Sequence, residues 1–262
     1  MECLTAKQNE KIKSAVSVRD SAKTRRETGL FFLEGARLCA DAAANGIAIY
    51  RAFCTSKSLE KYAEYSEKIL AAAQECYEIS EEIAQKLSDT QSPQGIFCLC
   101  RTNEKNALNA QIKPDGKYIF LENVQDPSNL GAVSRTAEAL GVDGMFVCGG
   151  CDIYNPKALR ASMGSALRLP IFTCENAAEV LTQLGENGML TLASTPDSSA
   201  LPITEVPMND GVVCVVGNEG NGVTQETMSV CRHRVTIPMN GRAESLNAST
   251  AAAILIWEMV RK

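Results

Sequence analysis

Three segments combine residue types that suit chemistry. In the first, NVQDPSNLGAVSRTAEAL, Asn129 and Arg135 stand six residues apart. Asp126-Pro127-Ser128-Asn129 reads as turn chemistry running into a helix start, where free N–H groups favour an anion. Arg135 sits among Ala, Val and Leu and needs either an anion or a partner, for which Glu138 is in reach. The second segment is GNEGNG, Gly217–Gly222, directly after VVCVV; its glycines admit a ligand close to the backbone. Val223-Thr224 stand where a Walker A loop needs Lys-Ser/Thr, and the spacing is not G-x-G-x-x-G. Glu219 would repel a pyrophosphate and suits ribose hydroxyls, an amine or a neighbouring arginine. The third, PMNGRAESLNAST at Pro238–Thr250, gathers Ser245, Asn247, Ser249 and Thr250 around Leu246 before the last helix. It reads either as an N-cap region or, being long for a cap, as a functional loop.

Each segment follows a strand and opens onto a helix, and in parallel α/β sheets ligands bind at the carboxyl ends of strands. In the second half YIFLENV, GMFVC, MLTLAS, VVCVV and RVTIP read as strands. Leu130–Leu140, Lys157–Met163, Ala177–Leu184, Thr224–Cys231 and Leu246–Val260 read as helices. Apolar strands alternating with helices imply a parallel sheet covered on both faces. The first half alternates likewise: a helix over 1–28 stopped by Gly29, LFFLEG, a helix to Asn45, IAIYRAFC, a helix over 58–73, and strands near 75–79 and 95–100. Between the halves RTNEKNALNAQIKPDG is polar and without period. The expected organisation is a domain over 1–103, a linker over 104–116 and a second domain over 117–262.

The 262 residues suit two domains at roughly 100–200 residues each, and 45% apolar with 22% charged residues excludes wholesale disorder. No run approaches the roughly 18 apolar residues of a membrane helix, and the start lacks a signal-peptide core, so a cytoplasmic protein is expected. Eleven cysteines scattered through apolar runs read as reduced, buried thiols. Cys148 and Cys151 form a single C-x-x-C, but no second pair exists and the one histidine is His233, so no metal site is expected. The net charge of −5 argues against nucleic acid until its distribution is considered. Residues 1–113 carry 16 basic against 15 acidic residues, and 114–262 carry 10 against 16. Lys7, Lys11, Lys13, Arg19, Lys23, Arg25 and Arg26 crowd the first 26 residues. This cluster is either an RNA-binding patch or a solvated helix face.

Together the N-x5-R of Asn129 and Arg135, VVGNEGNG at 215–222 and IPMNGRAESLNAS at 237–249 resemble the SpoU-type RNA ribose 2′-O-methyltransferases. The resemblance covers 117–262. Residues 1–103 are similar, less specifically, to the family's substrate-binding domain, a small α/β module resembling RNA-binding ribosomal proteins. The resemblance implies a C-terminal parallel-sheet domain with a deep trefoil knot, an exception to the unknotted rule. It also implies S-adenosylmethionine as methyl donor, a homodimer, and RNA as substrate, with rRNA favoured over tRNA because of the separate N-terminal domain. Carried over by position, Thr195, Gly217, Ile237 and Leu246 contact the donor, while Asn129, Arg135, Glu219, Ser245 and Asn247 surround the ribose. Arg135 then acts either as proton acceptor, awkward for a strongly basic guanidinium, or as a phosphate-binding group that favours the alkoxide. A non-catalytic RNA-binding relative would lack Asn129, Arg135 or Ser245, and none is missing. A Rossmann dinucleotide enzyme is disfavoured by the glycine spacing.

Overall fold

Residues 1–208 and 210–261 are described by a computed structural model. The chain folds into two units: Met1–Asn103 with Tyr154–Leu167, and Glu104–Ile153 with the chain from Arg168 onward. In the first, β1 (Glu2–Leu4), α1 (Glu10–Asp20), α2 (Ala22–Thr28), β2 (Leu30–Glu34), α3 (Ala36–Ala44) and β3 (Ile49–Cys54) come first. They are followed by α4 (Ser56–Lys61), α5 (Ala63–Ala72), β4 (Ala73–Ile79), α6 (Glu81–Leu87) and β5 (Ile96–Arg101). The strands lie in the order β1-β4-β3-β5-β2, with β1, β4 and β3 parallel and β5 antiparallel to both its neighbours.

Two expected helices are each divided. Within 1–28 the chain first forms β1, which pairs with β4 and buries Leu4. Asn9 then caps α1 by accepting from the Lys11 N–H, and Ser21 both ends α1 and caps α2 by accepting from the Thr24 N–H. Serine competes for backbone groups in this way more readily than it sits inside a helix. Gly29 closes α2 in the left-handed conformation (φ 62°). The helix expected over 58–73 is interrupted at Tyr62.

The second unit contains β6 (Lys105–Asn106), a 3-10 turn (Ala107–Asn109), β7 (Lys117–Glu122), α7 (Pro127–Ala139) and β8 (Gly144–Cys148). After β8 the chain forms α8 (Pro156–Ala161), which belongs to the first unit, and α9 (Ser165–Arg168). β9 (Ile171–Cys174), α10 (Ala177–Glu186), β10 (Leu190–Ser194), β11 (Leu201–Pro202) and β12 (Val212–Val216) follow. α11 (Gln225–Val230), β13 (His233–Thr236) and α12 (Ala248–Val260) complete it. Its sheet runs β11-β13-β10-β12-β7-β8-β9-β6, and every neighbouring pair is parallel. Tyr118, Phe120, Phe146 and Phe172 pack ring to ring in its core.

Segment 104–116 is not merely a connection, because β6 extends the sheet beyond β9. β9 and β11 were not expected from sequence; both are too short to show a period. Residues Tyr154–Leu167, expected within the second domain, pack on the first unit instead. The Tyr154 ring stacks on Phe31 (centroids 4.5 Å apart) and the Arg160 guanidinium pairs with Asp89 at 2.7 Å. β7 and β12 are adjacent at the centre of the second sheet, and strand order runs outward from them in both directions. That is the switch point at which open parallel sheets leave a crevice.

Candidate active site

The crevice is built by three loops at the carboxyl ends of β7, β12 and β13. After β7 the chain turns at Asn123, held at φ 55°, and enters α7 at Pro127, three residues before the helix expected at Leu130. Asp126 caps α7 by accepting from the Ser128 N–H, and Pro127 occupies the first turn, where its missing N–H costs nothing. Asn129 therefore lies in the first turn of the helix, only 6% exposed.

The anion at this helix start is the protein's own. Glu219 accepts from the Gln125 and Asp126 N–H groups, both at 3.1 Å, and from Asn129 Nδ2 at 3.0 Å. Burial pushes its carboxyl up, but the Asn129 amide and these backbone donors outweigh burial and hold it below the ordinary carboxylate range. Asn129 Oδ1 in turn accepts from Asn247 Nδ2 at 3.0 Å, and Asn247 Oδ1 caps α12 by accepting from the Ser249 and Thr250 N–H groups. Glu219, Asn129 and Asn247 thus form one hydrogen-bonded line through all three loops. Every amide in it has its donor and acceptor ends used in opposite directions, so the side-chain orientations are mutually determined.

Gly217 is required where it stands. A Cβ there would lie 2.1 Å from the Gly222 carbonyl carbon, because Asn218 and Gly222 exchange backbone hydrogen bonds across the loop. Asn218 Oδ1 accepts from the Gly220 and Asn221 N–H groups, and its Nδ2 donates to the Asn123 carbonyl. Beneath, the buried Glu122 accepts from the Thr224 N–H and from the Thr224 and Thr227 hydroxyls, fastening the start of α11 to β7. Sequence reasoning missed Glu122, Asn123 and Asn218. Only a charge at the end of an apolar strand and an asparagine in a turn signalled them.

The loops after β12 and β13, together with Ser194–Pro196 after β10, line a cavity of about 630 Å³, and the β7 loop stands behind it through the Asn129–Glu219 and Asn129–Asn247 hydrogen bonds. Thr195, Gly217, Ile237 and Leu246 all line it, together with Ser245 and Asn247. Arg135 is exposed on α7 and makes no hydrogen bond or ion pair among the described residues. Glu138, its alternative partner, is engaged by Arg168 at 3.0 Å.

The basic residues of the first unit divide into two kinds. Arg25 is 4% exposed and donates to the Val18 and Arg19 carbonyls, and Arg19 donates to the Lys86, Leu87 and Ser88 carbonyls at the end of α6. Both act as internal struts, so the structure corrects their assignment to an RNA-binding patch. Lys7 pairs with Glu82, Lys11 with Glu2, Lys13 with Glu10 and Lys23 with Glu27, all at the surface, and Arg26 is exposed without an ion pair among the described residues. Cys148 lies opposite Cys174 across β8 and β9 rather than facing Cys151, and no metal-binding group of three exists among the described residues.

Residues 9–98 match the MRM3-like substrate binding domain and residues 116–257 the SpoU rRNA Methylase family. A Bacillus subtilis protein named 23S rRNA (guanosine(2553)-2′-O)-methyltransferase RlmP is 30% identical over 261 residues, 99% of each chain. The crystal structure of an AdoMet-bound rRNA methyltransferase from Sinorhizobium meliloti superposes with a TM-score of 0.88 at 25% identity, covering 98% of this chain and 97% of that one. A solved RNA 2′-O ribose methyltransferase is 31% identical with a TM-score of 0.79, covering 98% and 97%. The chain belongs to the SpoU rRNA Methylase family.

Proposed function

We propose that the protein transfers a methyl group from S-adenosylmethionine to a ribose 2′-hydroxyl of structured RNA, with 23S rRNA the favoured substrate. The observation that carries this reading is the Glu219–Asn129–Asn247 line, which ties the three motif loops together. The cavity fits the donor: its volume lies within the roughly 300–1,000 Å³ of small-molecule sites, and Gly217 lets a ligand reach the backbone. The bound donor supplies an electrophilic methyl. Thr195, Gly217, Ile237 and Leu246 hold it, largely through backbone atoms, while Ser245, Asn129 and Asn247 orient the ribose. Glu219, with three donors already on its carboxylate, positions Asn129 and the start of α7. Arg135 binds a phosphate next to the target and stabilises the alkoxide as the hydroxyl loses its proton. Among the described residues it has no internal partner to give up when RNA arrives.

We infer further that the C-terminal unit is a deep trefoil knot; the cavity walls at 194–196, 216–223 and 236–251 are the segments it would interlace. A homodimer is supported by α12, which buries Leu255, Ile256 and Met259 yet leaves Trp257 55% exposed. Residues 1–103, resembling RNA-binding ribosomal proteins, supply RNA affinity, and a cytoplasmic location follows from action on rRNA. Methylation of tRNA is the second reading, favoured by relatives named for both substrates. The test is Arg135→Ala: 2′-O-methylation of rRNA from a deletion strain falls by at least about 100-fold, while donor affinity and melting temperature stay near wild type. Turnover near the wild-type rate refutes the assignment.

A further inference from the structure

Among the described residues the donor cavity is lined by two carboxylates, Glu219 and Glu244, and by no Lys, Arg or His. The two are not equivalent. Glu219 is held by three hydrogen-bond donors and belongs to the framework of the wall. Glu244, between β13 and α12, is exposed and makes no hydrogen bond or ion pair among the described residues; Arg242, two residues away, does not pair with it. A free carboxylate beside a cavity that holds no counter-charge attracts a cation there.

The methyl donor and its by-product differ in this respect. In the transfer, the 2′-oxygen forms a bond to the methyl carbon, the carbon–sulfur bond breaks with its electron pair going to sulfur, and the hydroxyl proton leaves to solvent. The sulfonium thereby becomes a neutral thioether, while the ammonium, carboxylate, ribose and adenine remain unchanged. We infer that Glu244 makes the cavity select the positively charged donor over the neutral product, and so limits product inhibition. This rests on the methyl-donor reading of the cavity. The selection is made on charge at one position rather than on shape, so an analogue with a protonated amine at that position is also preferred over the thioether.

Titration calorimetry of the full chain tests it with S-adenosylmethionine, S-adenosylhomocysteine and sinefungin, which carries such an amine. An attraction across a solvent-filled cavity corresponds to about 3- to 10-fold in affinity. Glu244→Gln is expected to weaken S-adenosylmethionine and sinefungin by that factor and S-adenosylhomocysteine by less than about 2-fold. Glu244→Lys exceeds Glu244→Gln, Glu244→Asp retains the wild-type ratio, and thioether binding shows that each variant is folded. Equal weakening of all three ligands, or an unchanged donor-to-product ratio, overturns the inference. Failure of the wild-type protein to bind any of the three overturns the donor reading itself.

Discussion

Replacing Asn129 by aspartate (Asn129→Asp) converts the central link of the site into a pH-dependent one. In the wild-type protein Asn129 Nδ2 donates to Glu219 at 3.0 Å and Oδ1 accepts from Asn247 at 3.0 Å. The introduced aspartate keeps the acceptor but places a second carboxylate oxygen against Glu219. Two unit charges 4 Å apart repel by about 1 kcal/mol in water and about 4 kcal/mol at an effective dielectric of 20; Glu219 is exposed, which puts the cost near ~2 kcal/mol. At about 1.4 kcal/mol per pH unit, the pair then keeps one proton until about pH 6, compared with about 4 in the unfolded chain. The folded variant binds the extra proton more tightly than the unfolded one, so its stability is complete below about pH 4 and falls as pH rises to about 6. Wild-type Glu219 has the opposite sign: its depressed pKa stabilises above the ordinary carboxylate range, and that contribution is lost on acidification. Once protonated, the introduced carboxyl can donate to Glu219 and restore the line. Relative to wild type, donor affinity is therefore expected to be near normal at about pH 5 and reduced by about tenfold or more at about pH 8, while melting temperature is partly recovered at about pH 5 and lowest at about pH 8. Equal deficits at both pH values refute the reasoning, because loss of shape alone has no proton dependence.

Arg25→Ala leaves the Val18 and Arg19 carbonyls without their donor and is expected to destabilise the protein by about 2–3 kcal/mol in urea titrations, with no specific effect on RNA salt dependence. Lys23→Ala with Arg26→Ala leaves stability within about 0.5 kcal/mol but flattens the log–log salt slope of RNA binding by about 0.7–0.9 for each phosphate no longer neutralised. The reverse pattern would return Arg25 to the RNA surface. Trp257→Glu converts a dimer into a monomer by light scattering at micromolar concentration, and a wild-type monomer there defeats the dimer proposal.

Much of the second unit is legible in the chain because its signals are local. VVCVV and YIFLE are apolar enough to be strands only in a sheet covered on both sides, and the paired residues of β7 and β12 are almost entirely buried. The resemblance to the family motifs singles out Thr195, Gly217, Ile237 and Leu246 as candidates before any fold is known, and all four line one cavity. The charge cluster misleads for the opposite reason. A run of lysines and arginines says nothing about direction, and Arg25 turns inward to the end of α1 while Arg26 turns to solvent.

Tertiary structure decided what depends on residues far apart in the chain. Tyr154–Leu167 reads as an ordinary strand–helix connection, yet stacking on Phe31 and pairing with Asp89 assign it to the first unit. β6 and β9 are strands because they pair; a hydrogen-bonding edge creates them where two- and four-residue runs carry no period. Glu122 gives no sign in sequence of its three hydrogen bonds, whose partners lie 102 and 105 residues away. Sequence by itself named the candidate site residues, because resemblance to family motifs depends only on residue identity and spacing along the chain. Which of them are free and which are held, Arg135 unpaired among the described residues and Glu219 triply bonded, was decided only by folding, because a hydrogen bond is a property of distance and direction in space.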